Sequence, residues 1–177
     1  MEEYEFTLKF DVSRVVTGPE DSVERLGEHG CDDAIVGVGI PGRIALMFSR
    51  LAGSAEEAVM SALADVESAL PGARLVEATP DYVGITEVAE ITGKSRQYLR
   101  RILLECKTGA PLPVHEGSTF MWHLAPVLSW LRDSKSYRIE QSLFDVAAAN
   151  MELNAASTRI PVRETIRRDV DSYLAEA

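Results

Sequence analysis

Apolar and polar side chains alternate strictly near the start of the chain. In residues 4–12, YEFTLKFDV, Tyr4, Phe6, Leu8, Phe10 and Val12 fall on one side, the period-two signature of a strand with one buried face. After Thr17, Gly18 and Pro19, the stretch PEDSVERLGEHG predicts a short helix. Thr17 or Gly18 caps it, Glu20 and Asp21 complement its N-terminal dipole, and Gly30 ends it. DDAIVGVGI and RIALMFSRL predict two strands joined at Pro41 and Gly42. SAEEAVMSALADVESALPG carries the strongest helical pattern of the chain. Ser54 and Glu57 form a capping box, and Ala58, Val59, Ala62, Leu63, Val66 and Leu70 form the apolar stripe. ARLVEAT predicts a last strand.

The resulting β-α-β-β-α-β order over residues 1–80 predicts a ferredoxin-like unit of the α+β class, an antiparallel sheet with both helices on one face. Gly37, Gly39 and Gly42 spell the G-x-G-x-x-G of dinucleotide-binding loops. In those loops the last glycine opens a helix whose N-terminus holds the pyrophosphate. Here RIALMFSR, a strand pattern, follows Gly42, and Pro41 sits inside the loop, so a glycine-rich hairpin is expected and no cofactor.

Residues 81–135 change periodicity. ITEVAEITGKSRQYLRRIL predicts two short helices joined at Gly93. Thr86 caps the first, which buries Val88, Ala89 and Ile91; Ser95 caps the second, which buries Leu99, Ile102 and Leu103. That is a helix-turn-helix pattern. Turning Leu99 and Ile102 inward turns Arg96, Gln97, Arg100 and Arg101 outward, with Lys94 and Ser95 at the helix start. Arginine pairs bidentately with guanine and glutamine with adenine in the major groove, while Lys94 and Ser95 suit phosphate. The competing reading is a helical hairpin with a solvated basic face. PLPVHEGSTFMWHL then predicts a strand, a turn at Glu116 and Gly117, and a second strand, followed by a helix in APVLSWLRDS. Trp122, Leu124 and Trp130 have core spacing rather than base-stacking spacing.

Residues 83–133, with ITEVAEITGKSRQYL, PLPVHEGSTFMWH and PVLSWL in that order, resemble the excisionase/MerR-like winged helix-turn-helix family. The resemblance implies a DNA-binding module with Arg96, Gln97, Arg100 and Arg101 in the groove. It also implies that the loop tip, residues 116–119 with Ser118 and Thr119, lies near the DNA backbone. The chain departs from the family pattern at His115 and Glu116, where such wings often carry Arg or Lys.

The rest of the chain, residues 136–177, predicts a helical extension. Residues 137–156 read as a helix with Ile139, Leu143, Val146, Ala147, Asn150 and Leu153 drifting round one face. STRIP interrupts it, and Pro161 opens a second amphipathic stretch through Val162, Ile166, Val170, Tyr173 and Leu174. Such helices dimerise a DNA-binding module, dock a partner protein or fold back on their own chain.

Composition narrows the function classes. A chain of 177 residues with 46% hydrophobic and 26% charged side chains has room for one or two small globular domains. No apolar run reaches the length of a membrane span, and the acidic, alternating N-terminus is no signal peptide. With only Cys31 and Cys106, far apart, a disulfide scaffold is excluded and a cytoplasmic location is expected. The net charge of −10 is unevenly spread: −9 over residues 1–80, +1 over 81–135 and −2 over 136–177. The middle segment alone approaches phosphate without strong repulsion.

Catalysis is not expected. His29, His115 and His123 lack ligand spacing, and Asp32 and Asp33 are adjacent and point apart. Acidic neighbours raise the Cys31 thiol pKa, and no nucleophile, P-loop or zinc-protease motif occurs. The expectation is therefore a sequence-specific DNA-binding regulator of double-stranded DNA, forming a homo-oligomer. The alternative is an antitoxin-like or assembly module that engages a partner protein through its acidic first domain or its helical tail.

Overall fold

The computed structural model describes residues 1–15, 18–105, 109–157 and 175. The proposed cap Thr17, Cys106 and the stretch opened by Pro161 lie outside them. Residues 1–80 follow the expected order: β1 (Glu2–Asp11), α1 (Pro19–Glu28), β2 (Ala34–Gly37), β3 (Arg43–Ala52), α2 (Ala55–Ala69) and β4 (Arg74–Thr79). The four strands form one antiparallel sheet in the order β2-β3-β1-β4. Strand alternation sends Tyr4, Phe6, Leu8 and Phe10 of β1, with Ile44, Leu46 and Phe48 of β3, to one face. There they pack on Leu26 of α1 and on Ala58, Val59, Ala62 and Val66 of α2.

Local details follow the physical signals, with one adjustment at the start of α2. Gly42 has φ +74°, and β3 rather than a helix follows it, so the glycine loop is a hairpin connection. Ser54 Oγ accepts from Glu57 N at 3.2 Å, but Glu57 Oε2 reaches past Ser54 to accept from Gly53 N at 2.9 Å.

The remaining described elements are β5 (Tyr82–Val83), α3 (Ile85–Thr92), α4 (Arg96–Arg100), a π-helical turn (Arg101–Glu105), β6 (Trp122–His123), α5 (Leu124–Lys135) and α6 (Gln141–Ser157). A second core gathers Val88 and Ala89 of α3, Leu99, Ile102 and Leu103, Trp122, and Leu124, Val127, Leu128 and Leu131 of α5. β5 and β6 pair antiparallel beneath it, Tyr82 opposite His123 and Val83 opposite Trp122.

The helix α6 joins the two cores. Val146 and Ala149 enter the sheet core while Ala147 enters the second. Side chains one or two positions apart on a helix point to different sides, so one helix can serve both cores. Its Asn154 also blunts the edge of the sheet. Asn154 Oδ1 accepts from Ala78 N at 2.7 Å and its Nδ2 donates to Ala78 O at 2.8 Å, as a neighbouring strand would. The same Nδ2 donates to Asp81 Oδ2 at 2.8 Å. Asp81 is fully buried; His123 Nδ1 sits 2.6 Å from its other oxygen, and its backbone carbonyl accepts from Leu124 N at 2.7 Å. This polar knot fastens the end of the sheet to β6, α5 and α6.

Candidate nucleic-acid interface

The turn between α3 and α4 is set by backbone chemistry. Gly93 ends α3 with φ +65°, a left-handed geometry that a side chain would strain, and its N–H donates to Ala89 O. The Lys94 N–H also reaches Ala89 O, at 3.2 Å. Ser95 caps α4 as expected, its Oγ accepting from Tyr98 N at 3.2 Å, which leaves the hydroxyl proton free to donate elsewhere.

Two expectations for α3 need correction. Gly84, not Thr86, is the N-cap, and its N–H donates to Glu87 Oε2 at 3.0 Å; Thr86 lies exposed in the first turn. Glycine carries no capping side chain, so the glutamate three residues on supplies the contact that a Ser or Thr search overlooks. Ile91, expected in the core, keeps 36% of its surface exposed because the core-facing stripe of α3 is narrow, Val88 and Ala89 alone being buried.

Leu99, Ile102 and Leu103 are buried, so the opposite side of this ten-residue helical segment is open. Arg96, Gln97, Arg100 and Arg101 are all exposed, as are Lys94 and Ser95 before them. Sequence reasoning missed what steadies two of these cations. Lys94 Nζ stands 5.3 Å from the centre of the Tyr137 ring, and the Arg101 guanidinium 5.6 Å from that of Tyr98. Burial and the neighbouring Tyr98 hydroxyl push the Tyr137 phenol up to about 12, so the ring stays neutral under the cation. The Tyr98 and Arg101 pair was legible as an i, i+3 spacing. Tyr137 arrives from the far end of α5, its N–H donating to Leu131 O at 3.2 Å, which no local pattern announces. Among the described residues, no ion pair or side-chain hydrogen bond occupies Arg96, Gln97 or Arg100.

Ser118 and Thr119 are exposed too, but they stand apart from α4 in the chain, on the loop of residues 116–120. That loop is closed by a single antiparallel bridge between His115 and Met121, with Val114 N donating to Met121 O at 2.8 Å. The two full strands expected around Glu116 and Gly117 shrink to this bridge and the two residues of β6. Pro111 and Pro113 explain the loss, since neither has an N–H to give to a ladder. Pro111 O instead accepts from Trp122 Nε1 at 3.1 Å, tying the loop base to the core. Trp122, Leu124 and Trp130 are buried, as their spacing predicted.

Among the described residues, no three His, Cys, Asp or Glu side chains converge on a possible metal position. No helix among them is long and apolar enough to cross a membrane. Comparison with protein-family models, with curated proteins and with solved structures yields no match to this chain.

Proposed function

We propose that this chain is a sequence-specific DNA-binding protein, with regulation of transcription as its biological role. In this reading residues 81–135 act as a winged helix-turn-helix and residues 1–80 as a ferredoxin-like platform. The observation that carries it is the face of α4. Three side chains with major-groove chemistry, Arg96, Gln97 and Arg100, stand exposed on one short helix, and none is engaged in an ion pair or side-chain hydrogen bond among the described residues. Arg96 and Arg100 offer bidentate donors to guanine and Gln97 matches adenine. Lys94 and the Ser95 hydroxyl sit where a helix start meets the phosphate backbone, with Arg101 behind them. Ser118 and Thr119 are assigned the flanking backbone contact. They hydrogen-bond a phosphate without adding charge, which suits a loop that carries Glu116. The fifteen carboxylates of residues 1–80 keep the sheet away from the duplex, which orients the chain on DNA. A second copy on an adjacent half-site would double the contacts.

The test is selection of duplexes from a random library by the full chain, followed by fluorescence anisotropy on the enriched sequence. Enrichment of one motif, bound more tightly than shuffled duplex by a factor of about a thousand or more, supports the reading. Absence of any enriched motif, with all duplexes bound alike or not at all, overturns it.

A further inference from the structure

The sheet has a second face, and no described element covers it. Alternation places Glu5, Thr7 and Lys9 of β1, Ile35 of β2 and Met47 of β3 there, opposite the side packed by α1 and α2. Ile35 is 71% exposed and Met47 56%. Beside this face α3 brings Glu87, Glu90 and Ile91, and the two surfaces form an open groove of about 770 Å³. Its exposed apolar part includes Ile35, Met47 and Ile91; its carboxylates are Glu5, Asp33, Glu77, Glu87 and Glu90. Among the described residues that line it, Lys9 is the one cation, and it is already tied to Glu77 at 2.7 Å.

Charge decides what fits. Nucleic acid and anionic lipid are repelled by the rim. A second copy of this face would set carboxylates against carboxylates. A simple polycation would satisfy the rim yet leave Ile35 and Met47 in water, and exposed apolar side chains of this size gain about 1.5–3 kcal/mol each when fully covered. We propose that this groove docks a basic, amphipathic polypeptide segment of a partner protein. Its Lys or Arg side chains meet the carboxylate rim and its apolar side chains cover Ile35, Met47 and Ile91. The groove and the exposed face of α4 use different residues, so this docking stands independently of DNA reading.

The probe is a fluorescein-labelled helical peptide of Leu and Lys in amphipathic order, compared with an all-Lys peptide of equal charge, each titrated with the full chain. Titrations at about 0.1 M and about 1 M salt span screening lengths of about 10 and 3 Å. The amphipathic peptide binds more tightly than the all-Lys peptide. The pair Ile35→Ser with Met47→Ser weakens it by at least about tenfold. The triple Glu5→Gln, Glu87→Gln, Glu90→Gln weakens it comparably and removes most of its salt sensitivity; Gln at position 87 keeps the oxygen that Gly84 N–H uses. A charge-matched triple on α1 and α2, Glu24→Gln, Glu28→Gln, Glu67→Gln, changes affinity by less than about twofold. If a multiple variant loses its cooperative thermal transition, Met47→Ser and Glu90→Gln alone are read in its place. Equal binding of the all-Lys peptide, no loss on the Ser changes, or an equal loss in the α1 and α2 triple overturns the proposal. So does self-association of the chain that the Ser changes abolish, because the occupant would then be a second copy.

Discussion

Arg50 and the pair Arg96 and Arg100 put the same guanidinium to opposite uses. On β3, Arg50 Nε and Nη2 donate to the two oxygens of Asp33 at 2.7 and 3.0 Å. Nη1 donates to Asp65 at 2.8 Å and to Ser61 at 3.1 Å, and Nη2 also reaches Gly30 O at 2.7 Å. Phe48 lies beneath the group, 4.9 Å from its carbon. Those hydrogen bonds hold the guanidinium more firmly protonated than a free one, and only 10% of the side chain meets water. Arg96 and Arg100 lie exposed with their donors unspent on described side chains. A satisfied arginine in an acidic domain is a structural pin, whereas unsatisfied arginines on one helix face are available to a ligand.

The two arginine settings should differ sharply in what they contribute to stability. Arg50→Met leaves Asp33 and Asp65 as uncompensated carboxylates beneath the loop that carries Gly30. The expected loss is about 3 kcal/mol in urea denaturation, the lower end for a buried pair. Both carboxylates keep about a quarter to a third of their surface exposed, 28% and 32%, which softens the penalty. Arg96→Ala and Arg100→Ala should each stay within about 0.5 kcal/mol of the parent. Equal losses at all three positions would make the α4 face structural.

Asn154→Ala acts at the junction of the two cores. It strips partners from the backbone of Ala78 and from buried Asp81, costing about 2 kcal/mol. Because α6 belongs to both cores, the loss should appear in one cooperative transition rather than two. Two separate transitions in the parent would show that α6 does not couple them. The same packing makes deletion of residues 1–80 a poor way to test DNA binding, since it would expose Val146 and Ala149.

A smaller, pH-dependent effect comes from Cys31. Burial, and after it the charge of Asp65, pushes this thiol up to about 11. The unfolded thiol ionises near its ordinary value of 9.0, so the thiol form favoured by folding contributes fully below about pH 9. That contribution is lost as pH rises from about 9 toward 11, by up to roughly 2 kcal/mol. Cys31→Ala should flatten this part of the stability profile; an unchanged slope would show that Cys31 does not supply it.

Much of this molecule was legible because the deciding interactions are local. Period-two alternation marked β1 and β3, a capping box marked α2, and Gly93 with Ser95 marked the turn into α4. Asp32 and Asp33 were read as raising the Cys31 thiol, which they do weakly, behind burial and the charge of Asp65. The Arg50 network escaped because Gly30, Asp33, Ser61 and Asp65 meet it only after the sheet and α2 pack. Asn154 escaped for the same reason: an asparagine late in a helix gives no sign that it will mimic a strand against Ala78. β5 and β6 have two residues each, too few for any alternation to register. On α4 the exposed residues were legible one by one from helical spacing, whereas Tyr137 beneath Lys94 depended on how α5 ends.

If the exposed arginines of α4 read DNA, as proposed, removing them costs affinity for the selected duplex without costing stability. Anisotropy titrations of the parent and of Arg96→Ala with Arg100→Ala are run on the selected duplex and on a shuffled one, with urea denaturation of both proteins alongside. Each lost base contact should cost about 1–3 kcal/mol on the selected duplex, with a much smaller change on the shuffled one and unchanged stability. Full affinity of the double variant for the selected duplex at physiological salt, in a protein of unchanged stability, would show that α4 does not read DNA.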